Sequence, residues 1–207
     1  MEKENLLEMS VADFIAATAA KTPTPGGGSV AGVVGALGTA LGQMALNFTR
    51  GKKKYAEHEE FYERLGKRLE IAAKMFQDLV ADDVAAYRLY QEAAKQEDSP
   101  QKQAAVQLAT AAAIDVPREV TKLSLAVLAD LKALQPRSNP YLITDLLAAG
   151  LLAVAAAKLS DYNVRINVPN VDDNRAAADI KKASADDLAK AQAILEELEQ
   201  AAKEFLP

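Results

Sequence analysis

Two aspartates interrupt stripes that are otherwise apolar. Tyr62, Leu65, Leu69, Ala72, Phe76, Leu79, Asp83, Ala86 and Tyr90 follow alternating three- and four-residue steps, the spacing that keeps side chains on one buried seam of a helix. Leu142, Asp145, Ala149, Leu152, Ala156 and Leu159 form a second such stripe, and the opposite face of that segment is also apolar. A helix apolar all round is an interior helix, so both acids are expected away from bulk water. Burying an unpartnered carboxylate costs several kcal/mol, roughly, so each acid needs a reason to be there. One reason is a bond to an arginine, a lysine or a helix N-terminus. The other is chemistry, because a desolvated carboxylate can act as a general acid or base. The spacing does not say whether the two acids are neighbours.

Other residues could bind rather than react. Gly26, Gly27, Gly28 and Ser29 precede a long apolar run, and free backbone N–H groups at such a helix start suit an anion. No Gly-Lys-Ser/Thr follows them, so this is not a nucleotide phosphate loop. Lys52, Lys53 and Lys54 follow a helix end, where they would complement its dipole even without a ligand. The chain has no cysteine and one histidine, His58. Thiolate chemistry, disulfides and the usual histidine-rich metal sites are thereby excluded, no metal is expected, and a cytoplasmic location fits. A net charge of −5 with few basic clusters argues against nucleic acid as a partner. The start, "MEKENLLEMS", lacks the basic and apolar regions of a secretory signal.

The elements that must position these residues are helical. Half the residues are hydrophobic, only 5% are aromatic, and alanine, leucine, glutamate and lysine dominate. The punctuation predicts a single all-α domain over residues 1–207, a bundle of five to six helices. A Ser10–Asp13 capping box starts the first helix, which ends about Ala20. Ser29 is expected to cap the second, with Gly51 as its stop after Arg50. One long helix spans about Tyr55–Gln96. Ser99 and Pro100 open the fourth, with a kink expected at Pro117 on the way to Leu134. Asn139 and Pro140 open the fifth, to about Leu159, and a charged helix from about Asp173 to Phe205 closes the chain. Alternating Val and Ile predict a short extended segment near 163–168. The run from Gly26 is long and apolar enough to raise the question of a membrane span. Gly28, Gly32, Gly35, Thr39 and Gly42 give it instead a small-residue face for close helix packing, and no membrane is expected.

Laid in order, "TPTPGGGSVAG" from Thr22, "GKKKY" from Gly51, "DDVAAY" from Asp82, "DVPREV" from Asp115, "NPYLITD" from Asn139 and "NVRINV" from Asn163 resemble the cyclodeaminase/cyclohydrolase family of folate enzymes. Thr144 stands where that family usually has serine, which keeps the hydroxyl. The resemblance implies a homodimer that binds a reduced folate in a cleft near the subunit interface. It implies chemistry at the carbon bridging N5 and N10: hydrolysis of 5,10-methenyltetrahydrofolate to 10-formyltetrahydrofolate, or cyclisation of 5-formiminotetrahydrofolate with loss of ammonia. No bound cofactor is implied beyond the folate substrate itself. Asp145, helped by Asp83, would move protons. Gly26, Gly27, Gly28, Ser29, Lys52, Lys53, Tyr55, Asn139, Asn163, Arg165 and Asn167 would contact substrate, the lysines as counter-charges to a glutamate tail that is often polyglutamylated. The alternative is a non-catalytic helical folate-binding or scaffold protein that has kept the fold.

Overall fold

The computed structural model describes residues 5–205; Met1–Glu4, which carry part of the N-terminal reading, lie outside the described residues. Six α-helices run in chain order: α1 Val11–Ala19, α2 Gly27–Asn47, α3 Glu59–Ala94, α4 Pro100–Leu134, α5 Ile143–Asn167 and α6 Asn174–Ala202, with no strand among the described residues. Several starts follow from single side chains. The Ser10 hydroxyl accepts from the Asp13 N–H at 3.1 Å and donates to the Asp13 carboxylate at 2.6 Å. Ser99 caps α4 ahead of Pro100, and Asp173 caps α6 through the N–H groups of Arg175 and Ala176.

Helices α2 to α5 form an up-down-up-down bundle, with α6 laid across α4 and α5. Close approaches fix the directions. Gly28 lies against Asp83 and Gly35 against Phe76, so α2 and α3 are antiparallel; Gly27 lies by Asn163 and Gly38 by Ala149, so α2 and α5 are too. Tyr62, Leu69, Phe76, Leu46, Leu128, Leu131, Leu146 and Leu198 are fully buried in the shared core. The small-residue face of α2 is therefore spent inside the bundle. A Cβ at Gly35 would sit 2.4 Å from Cε1 of the buried Phe76 ring. Gly35→Leu is expected to destabilise the fold by at least ~1–3 kcal/mol in urea unfolding; an unchanged midpoint would contradict this packing.

Three expectations need correction. Ser29 does not cap α2: Gly26 is the N-cap, in extended conformation, and Ser29 sits buried in the first turn with its hydroxyl turned to Asp83. The long helix starts at Glu59, because Lys53–His58 form a short 3₁₀ turn first. Residues 163–168 are not extended. Helix α5 continues to Asn167, past Leu159, and passes into a 3₁₀ turn at Val168. Val164 and Val168 are one helical turn apart as well as on one strand face, and both bury against Ile114. Asn163 and Asn167 donate to the carbonyls of Leu159 and Asn163, closing the last turns. Tertiary packing overrides the β-branched pattern there.

Pro117 lies inside an uninterrupted α4. Its missing N–H leaves the Ala113 carbonyl without the usual donor, and the Asn167 amide reaches across from α5 to it at 3.4 Å.

Candidate functional site

One end of the bundle gathers the first turn of α2, the later part of α3 and the end of α5. There the Asp83 carboxylate lies over the first turn of α2. It accepts a 2.7 Å hydrogen bond from the Ser29 hydroxyl, and the Ser29 backbone N–H is a further donor. The approach is possible only because residue 28 is glycine: a Cβ there would lie 2.0 Å from Asp83 Oδ1. On the other flank of the same turn is Asn163, whose amide nitrogen would be 3.7 Å from a Cβ at Gly27. The Asn163 side-chain amide donates to the Leu159 carbonyl, and its side-chain Oδ1 accepts no hydrogen bond among the described residues.

Burial raises the Asp83 carboxyl above its ordinary value, and the two Ser29 donors pull it back only in part. An acid held in this way keeps a proton closer to neutrality than a surface carboxylate does. It sits beside backbone N–H groups that face no carbonyl of their own helix. A base that can also return a proton, next to a donor-lined helix start, is suited to general acid–base chemistry on a bound polar substrate. Four residues on, Tyr87 continues this face of α3 beyond the end of α2; it is 37% exposed, and its hydroxyl accepts from Gln91 at 2.9 Å.

Asp145 is elsewhere. It lies in the first turn of α5 and is partly exposed, not buried as its stripe suggested, although Ala149 and Ala156 of the same stripe are buried. Counting from the Gly38–Ala149 contact at 1.5 Å per residue, Asp145 lies about 20 Å along the bundle from Asp83. Its neighbours at that end are other expected site residues. Lys52, Lys54, Tyr55, Asn139 and Tyr141 surround a cavity of about 530 Å³. Lys54 stacks over the Tyr55 ring, and Lys53 is exposed beside them. Asn139 is buried: its N–H donates to Thr49, and its side chain caps Tyr141. So Gly26, Gly27, Gly28, Ser29, Asp83 and Asn163 meet at one end, while Lys52, Lys53, Tyr55, Asn139 and Asp145 meet at the other.

Two expected contacts have other duties. The Asn167 amide is committed to Ala113 and Asn163, and Arg165 pairs with neither candidate acid but with Asp161, at 3.8 Å. The most deeply buried acids are in fact Asp161 and Asp187. Asp187 is lowered overall: burial opposes ionisation, but Lys122 and Lys190 outweigh it. Among the described residues no group of three or more His, Cys, Asp or Glu could hold a metal ion.

This arrangement has relatives. The family model for formiminotransferase-cyclodeaminase matches residues 10–186. A methenyltetrahydrofolate cyclohydrolase of Methylorubrum extorquens is 30% identical over 199 residues, covering 94% of this chain and 96% of that protein. The formimidoyltransferase-cyclodeaminase of Mus musculus is 27% identical over 83% of this chain, which spans only 33% of that longer protein. The crystal structure of a formiminotetrahydrofolate cyclodeaminase from Thermotoga maritima superposes with a TM-score of 0.82 at 31% identity, covering 97% of each chain.

Proposed function

The chain belongs to the formiminotransferase-cyclodeaminase family, and from that membership and the Asp83 geometry we propose that it works on the N5/N10 carbon bridge of a reduced folate. The reading is hydrolysis of 5,10-methenyltetrahydrofolate. Water adds to the methenyl carbon while Asp83 takes its proton. The tetrahedral carbon then collapses, the bond to N5 breaks, and Asp83 returns a proton to N5, leaving the formyl group on N10. Methenyl cation and water thus give 10-formyltetrahydrofolate and one released proton. The observation that carries this is the Asp83 carboxylate, held by Ser29 against the first turn of α2 and raised by burial. The name of the Thermotoga relative favours a second reading, attack of N10 on a 5-formimino carbon with ammonia leaving. Both routes need one group that gives and takes a proton at nitrogen, and neither calls for a metal or a further cofactor. Side-by-side assays of the purified chain with the two substrates test the proposal. Turnover of neither would sink it.

The active form is a homodimer. Along α2, Val30, Val33, Leu37, Ala40, Met44 and Phe48 follow three- and four-residue steps on the outer face, with Leu37 55% and Phe48 57% exposed. No charged residue interrupts the stripe over its ~27 Å, and Leu151 and Tyr162 of α5 are exposed as well. An apolar face of this extent marks an interface rather than a solvated surface. Alternatively, α2 and the stretch Pro140–Asn170 are long and apolar enough to cross a membrane, but about half of each is buried inside the bundle, which favours a partner over lipid. A two-fold axis near the middle of α2 would lay the second copy end for end. Asp145, Lys52, Lys53, Tyr55 and Asn139 of one copy would then face Asp83, Ser29 and Asn163 of the other. That union accounts for motif residues that one chain keeps about 20 Å apart. Leu37→Glu is expected to give a folded monomer by light scattering, with turnover lost. A dimer of normal activity would contradict the assignment of this face.

A further inference from the structure

We infer that the carboxylate tail of the folate docks in a cavity built around Arg165 and Lys181, an assignment that rests on the folate reading above. The cavity, of about 510 Å³, opens where α5 ends and α6 begins. Tyr162 forms one wall, Val168 and Pro169 the apolar floor, and Asn174 the α6 side, with Arg165 and Lys181 as its charged groups. No acid lines it.

The support behind Arg165 points to a built site. Asp161 is only 4% exposed, yet it takes no part in the proton chemistry. It accepts a 2.8 Å hydrogen bond from Ser184, itself 4% exposed, and its other oxygen faces the Arg165 guanidinium at 3.8 Å. A buried carboxylate so placed aims the guanidinium at the cavity mouth and leaves its remaining N–H donors free. That is how an outer group orients a charged ligand-binding side chain. Arginine presents a fork that matches a carboxylate, and Lys181 adds a second positive charge that can serve a second carboxylate.

The cavity also lies at the right end of the molecule. Arg165 and Asn163 are within one turn of α5, so the cavity and the Asp83 site are separated by about one helix diameter, ~10–12 Å. A tail leaving N10 through its aromatic ring and amide would pass over Tyr162 to reach it. The sequence reading gave the tail to Lys52 and Lys53; in the same chain those lysines lie at the opposite end, and only a partner copy could bring them to this region, so the kinetics below test both sets.

Steady-state kinetics with three 5,10-methenyl substrates arbitrates: a tetrahydropteroate that lacks glutamate, the monoglutamate and the triglutamate. In Lys181→Gln and Arg165→Gln, KM for the glutamylated substrates is expected to rise on the order of fivefold, with kcat and the tetrahydropteroate KM unchanged. Arg165→Lys should recover part of the loss. Asp161→Asn should weaken the glutamate preference in the same direction, which a purely structural Asp161 would not do. Equal changes for all three substrates, or none, would overturn the assignment, as would loss of the preference in Lys52→Gln/Lys53→Gln alone. If the unmodified chain neither binds nor turns over any of the three, the folate reading itself falls and the cavity assignment with it.

Discussion

Asp83→Asn lowers kcat by ~10²–10⁴, the usual worth of a positioned acid–base group, while the protein melts no lower than the unmodified chain at pH 7. The two effects have one origin. Burial raises the Asp83 carboxyl above 3.8, so between that value and the folded one the native state holds a proton that the unfolded chain has lost. Stability from this group is therefore fully present below 3.8 and falls as pH rises through the raised folded value. Above the raised folded value, burying the ionised Asp83 is a burden on the fold. Asparagine keeps the shape and can still accept from Ser29, but it carries no charge and cannot take a proton. The difference in melting temperature between the two proteins should shrink as pH falls toward 4, roughly the unfolded carboxylate value. The acidic limb of kcat/KM against pH should lie above the range of a surface carboxylate and disappear in the variant. Normal turnover in folded Asp83→Asn would remove Asp83 from the chemistry.

Much of the architecture was legible because local chemistry and tertiary packing agree. Ser10, Ser99, Asn139 and Asp173 sit at turn or helix starts, as their side chains require. The Tyr62–Leu79 seam is buried as its steps demand. Where reading and structure part, a second element outcompetes the local signal. Ser29 gives up the cap because Asp83 of α3 claims its hydroxyl, and only Gly28 lets that acid come so close. Residues 163–168 fit strand and helix alike by pattern, and the buried contacts of Val164 and Val168 with Ile114 decide for the helix. The site was legible as a set of residue types but not as a place. Periodicity reports which face of its own helix a residue occupies, and nothing about the level at which two helices meet. Asp161 shows the same gap. It lies on the buried stripe of Ala157 and Val164, where the apolar character of α5 could have marked it as readily as Asp145.

Mixing two inactive variants should restore activity if the site is shared between copies. Asp145→Asn alone is expected to lose turnover by a factor comparable to Asp83→Asn, without loss of fold, since Asp145 is partly exposed and begins its helix. In a two-fold dimer each site takes Asp83 from one copy and Asp145 from the other. A dimer of one Asp83→Asn chain and one Asp145→Asn chain then holds one site with both acids intact and one with neither. Random reassortment makes half the dimers mixed, so about a quarter of the unmodified activity should return. Each parent dimer lacks an acid in both of its sites and stays inactive. The experiment separates three arrangements. Recovery requires that the acids act across the interface. Two inactive parents with no recovery after proven subunit exchange would mean that each chain supplies its own complete site, which the ~20 Å between Asp83 and Asp145 makes hard to build. Full activity of Asp145→Asn by itself would leave Asp83 as the sole proton carrier and would withdraw Asp145 from the site. The mixing should be followed by both turnover and light scattering, because a shared site ties the recovered rate to the fraction of mixed dimer.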